Sequence, residues 1–391
     1  MAIAQPTHRR PPGIAAATAR TPISDRVLAW RDHLVASPRF QRAAARFLPT
    51  RWIARRRAQA LFDLVAGFTY SQVLLACVRL GLFDLLLERP RSRAEIAALA
   101  VLDEAATERL LTAAVSLRLI ERRSGRRYGL GPLGVPMAGN AAIAAMVEHH
   151  SALYADLADP VALLRRRPST GETTRLGDVW GYAANGAAAA LDDSRVAGYS
   201  ALMTASQPLV ADQVLDAYPL AAHRCLLDVG GGEGAFALAV ARRHPHLAVK
   251  VFDLPAVAAR ARARLDREGH ARIETFGGDF ARDPLPVGAD IVTLVRVVHD
   301  HDDDRALAIL EAVHAALSTG GVLLLAEPMS GTRGAEPMGD AYFGMYLLAM
   351  GSGRARTPDE LAAMLSRAGF ARSRLISTAL PLQARVIVAT K

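Results

Sequence analysis

The residues of this chain best placed to do chemistry stand where apolar runs stop. Leu226-Leu227-Asp228-Val229 is followed by Gly230-Gly231-Gly232-Glu233-Gly234 and then by Ala235-Phe236. An apolar run that breaks on glycines and resumes as a helix reads as a first βα turn, open to close backbone approach by a nucleotide-like ligand. Gly230-x-Gly232-x-x-Ala235 also satisfies the looser dinucleotide fingerprint, so the glycines alone leave the nucleotide undecided. Asp253 closes the next apolar run, Ala248-Val249-Lys250-Val251-Phe252, 21 residues after Gly232, where an acid can take ribose hydroxyls. Asp279, in Gly277-Gly278-Asp279-Phe280, closes a third short run, and Asp290-Ile291-Val292-Thr293-Leu294-Val295 is a fourth. His299 follows it in Arg296-Val297-Val298-His299-Asp300-His301-Asp302-Asp303-Asp304. Imidazole titrates near neutrality, so a His at the carboxyl end of a strand can remove a hydroxyl proton. The acids from 300 to 304 read as the start of a helix over 305–317, where they complement its dipole and cap free N–H groups. No other segment offers converging ligands, and no metal is expected.

Such residues need a sheet to carry them. From 214 to 391 apolar runs alternate with helical stretches, which predicts an α/β domain with a doubly wound sheet, closing with a helix over 358–368 and strands over 372–377 and 384–389. Residues 61–135 read as a mostly helical, winged-helix-like module. Ser92-Arg93-Ala94-Glu95 is a capping box, 107–117 carries leucines at helical spacing, and 119–130 reads as a hairpin around Gly125. Its would-be recognition helix holds one arginine and one glutamate, Arg109 and Glu108, too little charge to neutralise several phosphates. The module is therefore expected to dimerise, with no nucleic acid as partner. Residues 136–213 form a helical connector with an Arg-rich loop at 165–171 and an alanine-rich run at 183–190.

With 391 residues, 51% of them hydrophobic, the chain has room for two or three full cores. Uninterrupted apolar runs fall well short of the roughly 20 residues a membrane span needs, so no transmembrane helix is expected, and the first residues lack the pattern of a secretory signal. Cys77 and Cys225 both sit in apolar runs, which suits free thiols in a reducing cytoplasm. The net charge of +9 belongs to one end: residues 1–60 hold twelve arginines against two acids, Asp25 and Asp32. Residues 1–22, with four prolines, read as unstructured. From 23 to 60, Trp30, Phe40, Phe47 and Trp52 alternate with arginines. Two readings of this arm stand side by side: an amphipathic segment on an anionic membrane surface, or a helical arm packed on a partner subunit.

The acid and glycine series resembles that of the S-adenosylmethionine methyltransferases. Glu233 would oppose a pyrophosphate at the helix N-terminus, whereas a cofactor with an ammonium and a sulfonium tolerates it. In that resemblance Asp253 binds ribose, Asp279 with Phe280 frames the adenine, and the loop from Gly230 to Gly234, with Gly232 at its middle, passes under the methionine portion. Asp228, Leu254, Val295 and Arg296 border those motifs and join the same cofactor-binding set.

Over about residues 60–390 the order Asp-Val-Gly-Gly-Gly, Phe-Asp-Leu-Pro at 252–255, Gly-Gly-Asp-Phe at 277–280, His-Asp at 299–300 and Ala-Glu-Pro at 326–328 resembles the large O-methyltransferase family that includes caffeate and hydroxyindole enzymes. The runs at 60–68, 71–76, 149–162 and 340–346 are similar to its carotenoid branch, found in purple phototrophic bacteria. The resemblance implies a Rossmann-like catalytic domain, a homodimer, His299 as general base and Glu327 as its orienting acid. It also implies methyl transfer to an apolar hydroxycarotenoid, whose channel would be lined by Met146, His150, Tyr154, Met203, Tyr342, Met345 and Tyr346. The protein would be cytoplasmic, with the arm as a peripheral contact to the inner, photosynthetic membrane. Two positions depart from the family pattern: Ala355 stands where a second acid flanks the histidine, and His301 replaces an aromatic residue. The competing readings are methylation of a phenol or small natural product, a winged-helix regulator without chemistry, and a nicotinamide-dependent oxidoreductase.

Overall fold

The computed structural model describes residues 23–166, 173–180, 207–208, 210–280 and 282–391. The tail 1–22, the alanine-rich run 183–190, Met203 and the loop residues 167–171 lie outside the described residues. Two compact units are present, Met1–Val73 and Leu74–Lys391.

In the first unit the helices Ile23–Ala36 and Pro38–Arg46 lead into Leu48–Arg79. Ser37 and Phe47, both with extended backbone, separate them, and Pro38 opens the second helix where its missing N–H is no loss. The side chains of Trp30, Phe40, Phe47 and Trp52 are exposed. The helix Leu48–Arg79 is 32 residues long and, by length and composition, apolar enough to cross a membrane. Asp63, Ser71 and Gln72 interrupt the stretch, so its uninterrupted runs are short while its average stays apolar, and length and composition alone do not make it a span. A helix that meets a partner subunit passes the same test, and Leu61, Phe62, Leu64, Val65 and Phe68 on it are all exposed in the single chain.

The second unit begins with the helix Leu82–Glu88, β1 (Arg91–Ser92), the helices Arg93–Ala100 and Glu104–Ser116, β2 (Ile120–Arg123) and β3 (Arg127–Leu130). The strands form an antiparallel sheet in the order β1-β3-β2, with the β2–β3 turn made by Gly125 at φ +68°. Ser92 and Glu95 close the expected capping box, and Asp103 caps the next helix.

The main sheet has seven strands: β4 (Cys225–Val229), β5 (Ala248–Asp253), β6 (Glu274–Gly277), β7 (Ile291–Val295), β8 (Val322–Glu327), β9 (Arg372–Ile376) and β10 (Arg385–Thr390). Their order is β6-β5-β4-β7-β8-β10-β9; the first five are parallel and β10 runs antiparallel to both its neighbours. The central strands are near-continuous Leu, Val and Ile because helices cover both faces. Phe236 and Val240 of Ala235–Arg243 and Leu265 of Pro255–Arg267 fill one side. Ile309 and Val313 of Asp303–Ala316 with Leu361 and Leu365 of Pro358–Arg367 fill the other. Chain order reverses between β4 and β7, so a crevice opens at their carboxyl ends. The connector helices Ala141–Asp156, Pro160–Arg165 and Arg175–Val179 pack through Leu153, Leu163 and Leu176 on the helix Phe343–Met350.

Candidate active site

Five loops meet at that carboxyl edge, and each carries a residue singled out in the sequence. After β4 the chain turns through Gly230, Gly232 and Gly234 with φ of +69°, +57° and +76°, a conformation that side chains rarely adopt. At Gly230 a Cβ would also come within 2.7 Å of the Val297 side chain, so the glycine lets two loops touch. Asp253, at the end of β5, reaches across: Oδ2 accepts from Gly232 N (2.8 Å) and Oδ1 from Leu254 N (2.7 Å). Part of Asp253 stays open, yet its surroundings desolvate it enough to push its pKa up to about 6. Asp228 on β4 is buried, takes the hydroxyl of Thr293 at 2.7 Å, and is pushed up to about 7 by desolvation. Its Oδ2 has no hydrogen-bond partner among the described residues. Two desolvated carboxyls and an unpaired oxygen beside a glycine turn fit a cofactor bearing hydroxyls and positive charge.

Glu233 does not stand free at this turn: Arg260 pairs with it at 2.8 Å. The charge-repulsion argument against a pyrophosphate is therefore weaker than the sequence made it, and the choice of cofactor rests on the whole series.

Beyond β6, Asp279 and Phe280 form a second wall. Arg305 lies over the Phe280 ring (5.4 Å) and reaches Asp279 at 3.4 Å, while the His301 ring meets Phe280 edge-on at 5.4 Å. Burial drops His301 to about 4, so it presents a neutral aromatic ring to Phe280. Val295 ends β7 buried, and Arg296 follows in the left-handed region at φ +58°, its guanidinium on Gln207 at 2.6 Å. A non-glycine residue held there is strained, and the strain turns the chain sharply toward His299.

His299 lies in the 3₁₀ turn Val298–Asp300, buried between two carboxylates. Its Nδ1 bonds Glu327 Oε2, and its Nε2 is 3.0 Å from Asp300 Oδ1. Glu327 Oε1 accepts from the backbone N–H of Val297 (3.1 Å) and Val298 (2.7 Å). Burial alone would lower the His299 pKa, but the two carboxylates outweigh it and raise it to about 10. Asp300 is thus no helix cap: the helix starts at Asp303, and Asp300 sits against the imidazole. It supplies the second acid that Ala355 does not. Sequence reasoning missed this role although the His-Asp adjacency carried the signal.

The connector contributes a polar ladder. His150 Nδ1 bonds the carbonyl of Met146, and its Nε2 meets Tyr342 Oη at 2.7 Å. Tyr346 Oη accepts from Trp180 Nε1 (2.9 Å) and lies 2.6 Å from His149 Nε2. Burial lowers both histidines, His149 to about 4, so both rings are neutral, and both ring nitrogens of His150 and Nε2 of His149 find partners within the protein. Phe343 bridges to the first site, its ring 5.8 Å from that of His299. A π-helical stretch, Pro337–Tyr342, leads into this segment. Met345 packs in the same cluster, whereas Tyr154 is half-buried further along the His150 helix. His149, Trp180 and Phe343 join the expected lining.

Residues 154–371 match the O-methyltransferase domain family and residues 62–138 the O-methyltransferase dimerisation domain. The chain is 41% identical to the demethylspheroidene O-methyltransferase of Cereibacter sphaeroides, covering 92% of this chain and 93% of the relative. It is 39% identical to the enzyme of that name from Rhodobacter capsulatus, over 87% of this chain and 84% of the other. The structure of human N-acetylserotonin methyltransferase in complex with SAM is similar with a TM-score of 0.72 at 28% identity, over 86% of this chain and 97% of that one.

Proposed function

The chain belongs to the O-methyltransferase family, and from that premise we propose that it moves a methyl group from S-adenosylmethionine to the tertiary C1 hydroxyl of an acyclic hydroxycarotenoid in spheroidene- or spirilloxanthin-type pigment synthesis. The observation that carries this reading is the 41% identity to a demethylspheroidene O-methyltransferase along almost the full length of both chains. The connector ladder agrees with it, because a wall whose polar atoms bond one another suits a hydrocarbon chain. The dimerisation-domain match supports a homodimer.

When bound, the cofactor supplies an electrophilic methyl on a sulfonium. Asp253 would hold its ribose, Asp279, Phe280 and His301 its base, and the glycine turn with Asp228 its methionine end. A tertiary alcohol is far less acidic than a phenol, so a free alkoxide is not formed beforehand. His299 takes the hydroxyl proton at Nε2, which the hydroxyl reaches in place of Asp300, as the carbon–oxygen bond forms, with Glu327 holding Nδ1–H. A positive neighbour disfavours a second cation, so His299 is deprotonated more readily once the sulfonium is beside it. The buried surroundings of His299 would keep water from the transferring methyl.

Product analysis by mass spectrometry tests the acceptor. Incubation with S-adenosylmethionine and detergent-solubilised 1-hydroxycarotenoids, beside a panel of phenols, is expected to add one methylene unit to the carotenoid alone. Methylation of phenols only would discard the carotenoid reading and keep the reaction.

The arm from 23 to 60 would rest on the anionic membrane that dissolves such a substrate, its exposed Trp30 and Trp52 at the interface and its arginines on lipid phosphates. Full-length protein is expected to sediment with anionic vesicles more than with zwitterionic ones, less so at high salt, and less after Arg55, Arg56 and Arg57→Ala. Equal binding to both vesicle types would leave the arm to the partner subunit.

A further inference from the structure

One buried cation braces the turn that presents the base. Arg356 is 2% exposed, a heavy cost for a guanidinium unless each donor is used. Nη1 donates to the carbonyl of Val298 (2.9 Å) and Nη2 to that of His301 (2.7 Å). Nε and Nη2 both reach Asp303 Oδ1, at 3.0 and 2.8 Å. The two carbonyls bracket His299, so a single planar group ties both ends of its turn. The same segment adds Ser352 Oγ to the carbonyl of Asp300 (2.9 Å) and Gly353 N to Asp302 Oδ1 (2.9 Å). Gly353, at φ +80°, packs so closely that a Cβ there would come within 2.1 Å of the His299 carbonyl.

We infer that Arg356 is a positioning residue for methyl transfer: by fixing the carbonyls of Val298 and His301 it keeps the His299 ring between Glu327 and Asp300. It acts through the backbone. The rigid fork of a guanidinium holds three acceptors at once, which a lysine ammonium on a flexible stem does not reproduce. The family's second acid is missing at Ala355, one residue away, so orientation of the base depends more on this clamp and on Asp300.

The charged and titratable groups around His299 are Glu327 from β8, Asp300 and His301 from its own turn, and Asp303, Arg305 and Arg356 behind it. Loosening the turn lets Asp300 drift from Nε2, so the pH at which His299 loses its proton falls. The test compares Arg356→Lys and Arg356→Ala with Arg354→Ala, an exposed neighbour that also pairs with Asp303. Expected for Arg356→Lys is a fall in kcat of about 10- to 100-fold, an unchanged Kd for S-adenosylmethionine, and a kcat/KM profile displaced to lower pH. Added guanidinium ion should return part of the activity of Arg356→Ala, and Arg354→Ala should keep its kcat. Wild-type kcat and pH profile in Arg356→Lys would overturn the assignment. So would a loss of activity that follows melting temperature alone, with the pH profile fixed and no rescue.

Discussion

Replacing His299 by alanine is expected to cut kcat by roughly 10²- to 10⁴-fold while S-adenosylmethionine still binds. The imidazole is held at the carboxyl edge between two carboxylates, Glu327 at Nδ1 and Asp300 at Nε2, and Nε2 is the nitrogen proposed to take the hydroxyl proton. Most of the cofactor contacts proposed above come from other loops, those after β4, β5 and β6, and only His301 shares the turn of His299, so binding outlasts removal of the imidazole. Calorimetry of cofactor binding separates the two roles. A variant with normal affinity and little turnover places His299 in proton transfer, whereas one that binds and turns over normally removes it from the mechanism. The loss should exceed that seen with a phenol methyltransferase substrate, because a tertiary alcohol stays protonated until the methyl moves, and a phenol ionises near pH 10.

Much of this site was legible because its parts are short and local. Gly230, Gly232 and Asp253 follow from a strand that must end and a ligand that must come close, and His299 from the rule that loops after parallel strands gather at one edge. The same logic misread Asp300, and placed Asp303 at the helix start without seeing its side-chain partner. A run of acids at a helix start has the composition of a cap, which outweighed the His-Asp adjacency that pointed to Asp300, and nothing in the sequence says that Asp303 turns to Arg356. Glu233 is a similar case, since its partner Arg260 comes from the next helix.

Contacts of long sequence separation were the least visible. His149 and Tyr346 are 197 residues apart and His150 and Tyr342 192, so only the packing of the connector on Phe343–Met350 brings them together. The resemblance marked His150, Tyr342 and Tyr346, but not His149, as lining. It could not tell that hydrogen bonds would pair the histidines with the tyrosines, leaving a neutral wall instead of four separate polar groups. The helix Leu48–Arg79 was hidden differently: scattered polar residues broke its runs but not its apolar average.

Glu327→Gln is expected to lower kcat by on the order of 10³- to 10⁴-fold, a loss comparable to that of His299 itself. Glu327 Oε1 already accepts two backbone N–H groups, from Val297 and Val298, so the amide oxygen of glutamine will stay there. Its NH₂ then faces His299 Nδ1. A donor in that place forces Nδ1 to accept, puts the ring proton on Nε2, and leaves no lone pair for the acceptor hydroxyl. The pH dependence separates this from simple misfolding. In the wild type the pKa of His299, about 10 because the carboxylates outweigh burial, lies above the ordinary 6.5, so kcat/KM should climb with pH from neutrality toward 10. The sign for stability is the reverse: a raised histidine stabilises the fold fully below about pH 6.5, and that contribution fades as pH rises through 10. Glutamine removes one of the two carboxylates, so the alkaline rise should move down by roughly one to three pH units, and the residual activity should flatten across the neutral range. An undisplaced profile at reduced kcat would mean that Glu327 only supports the backbone of the turn and does not govern the proton on His299.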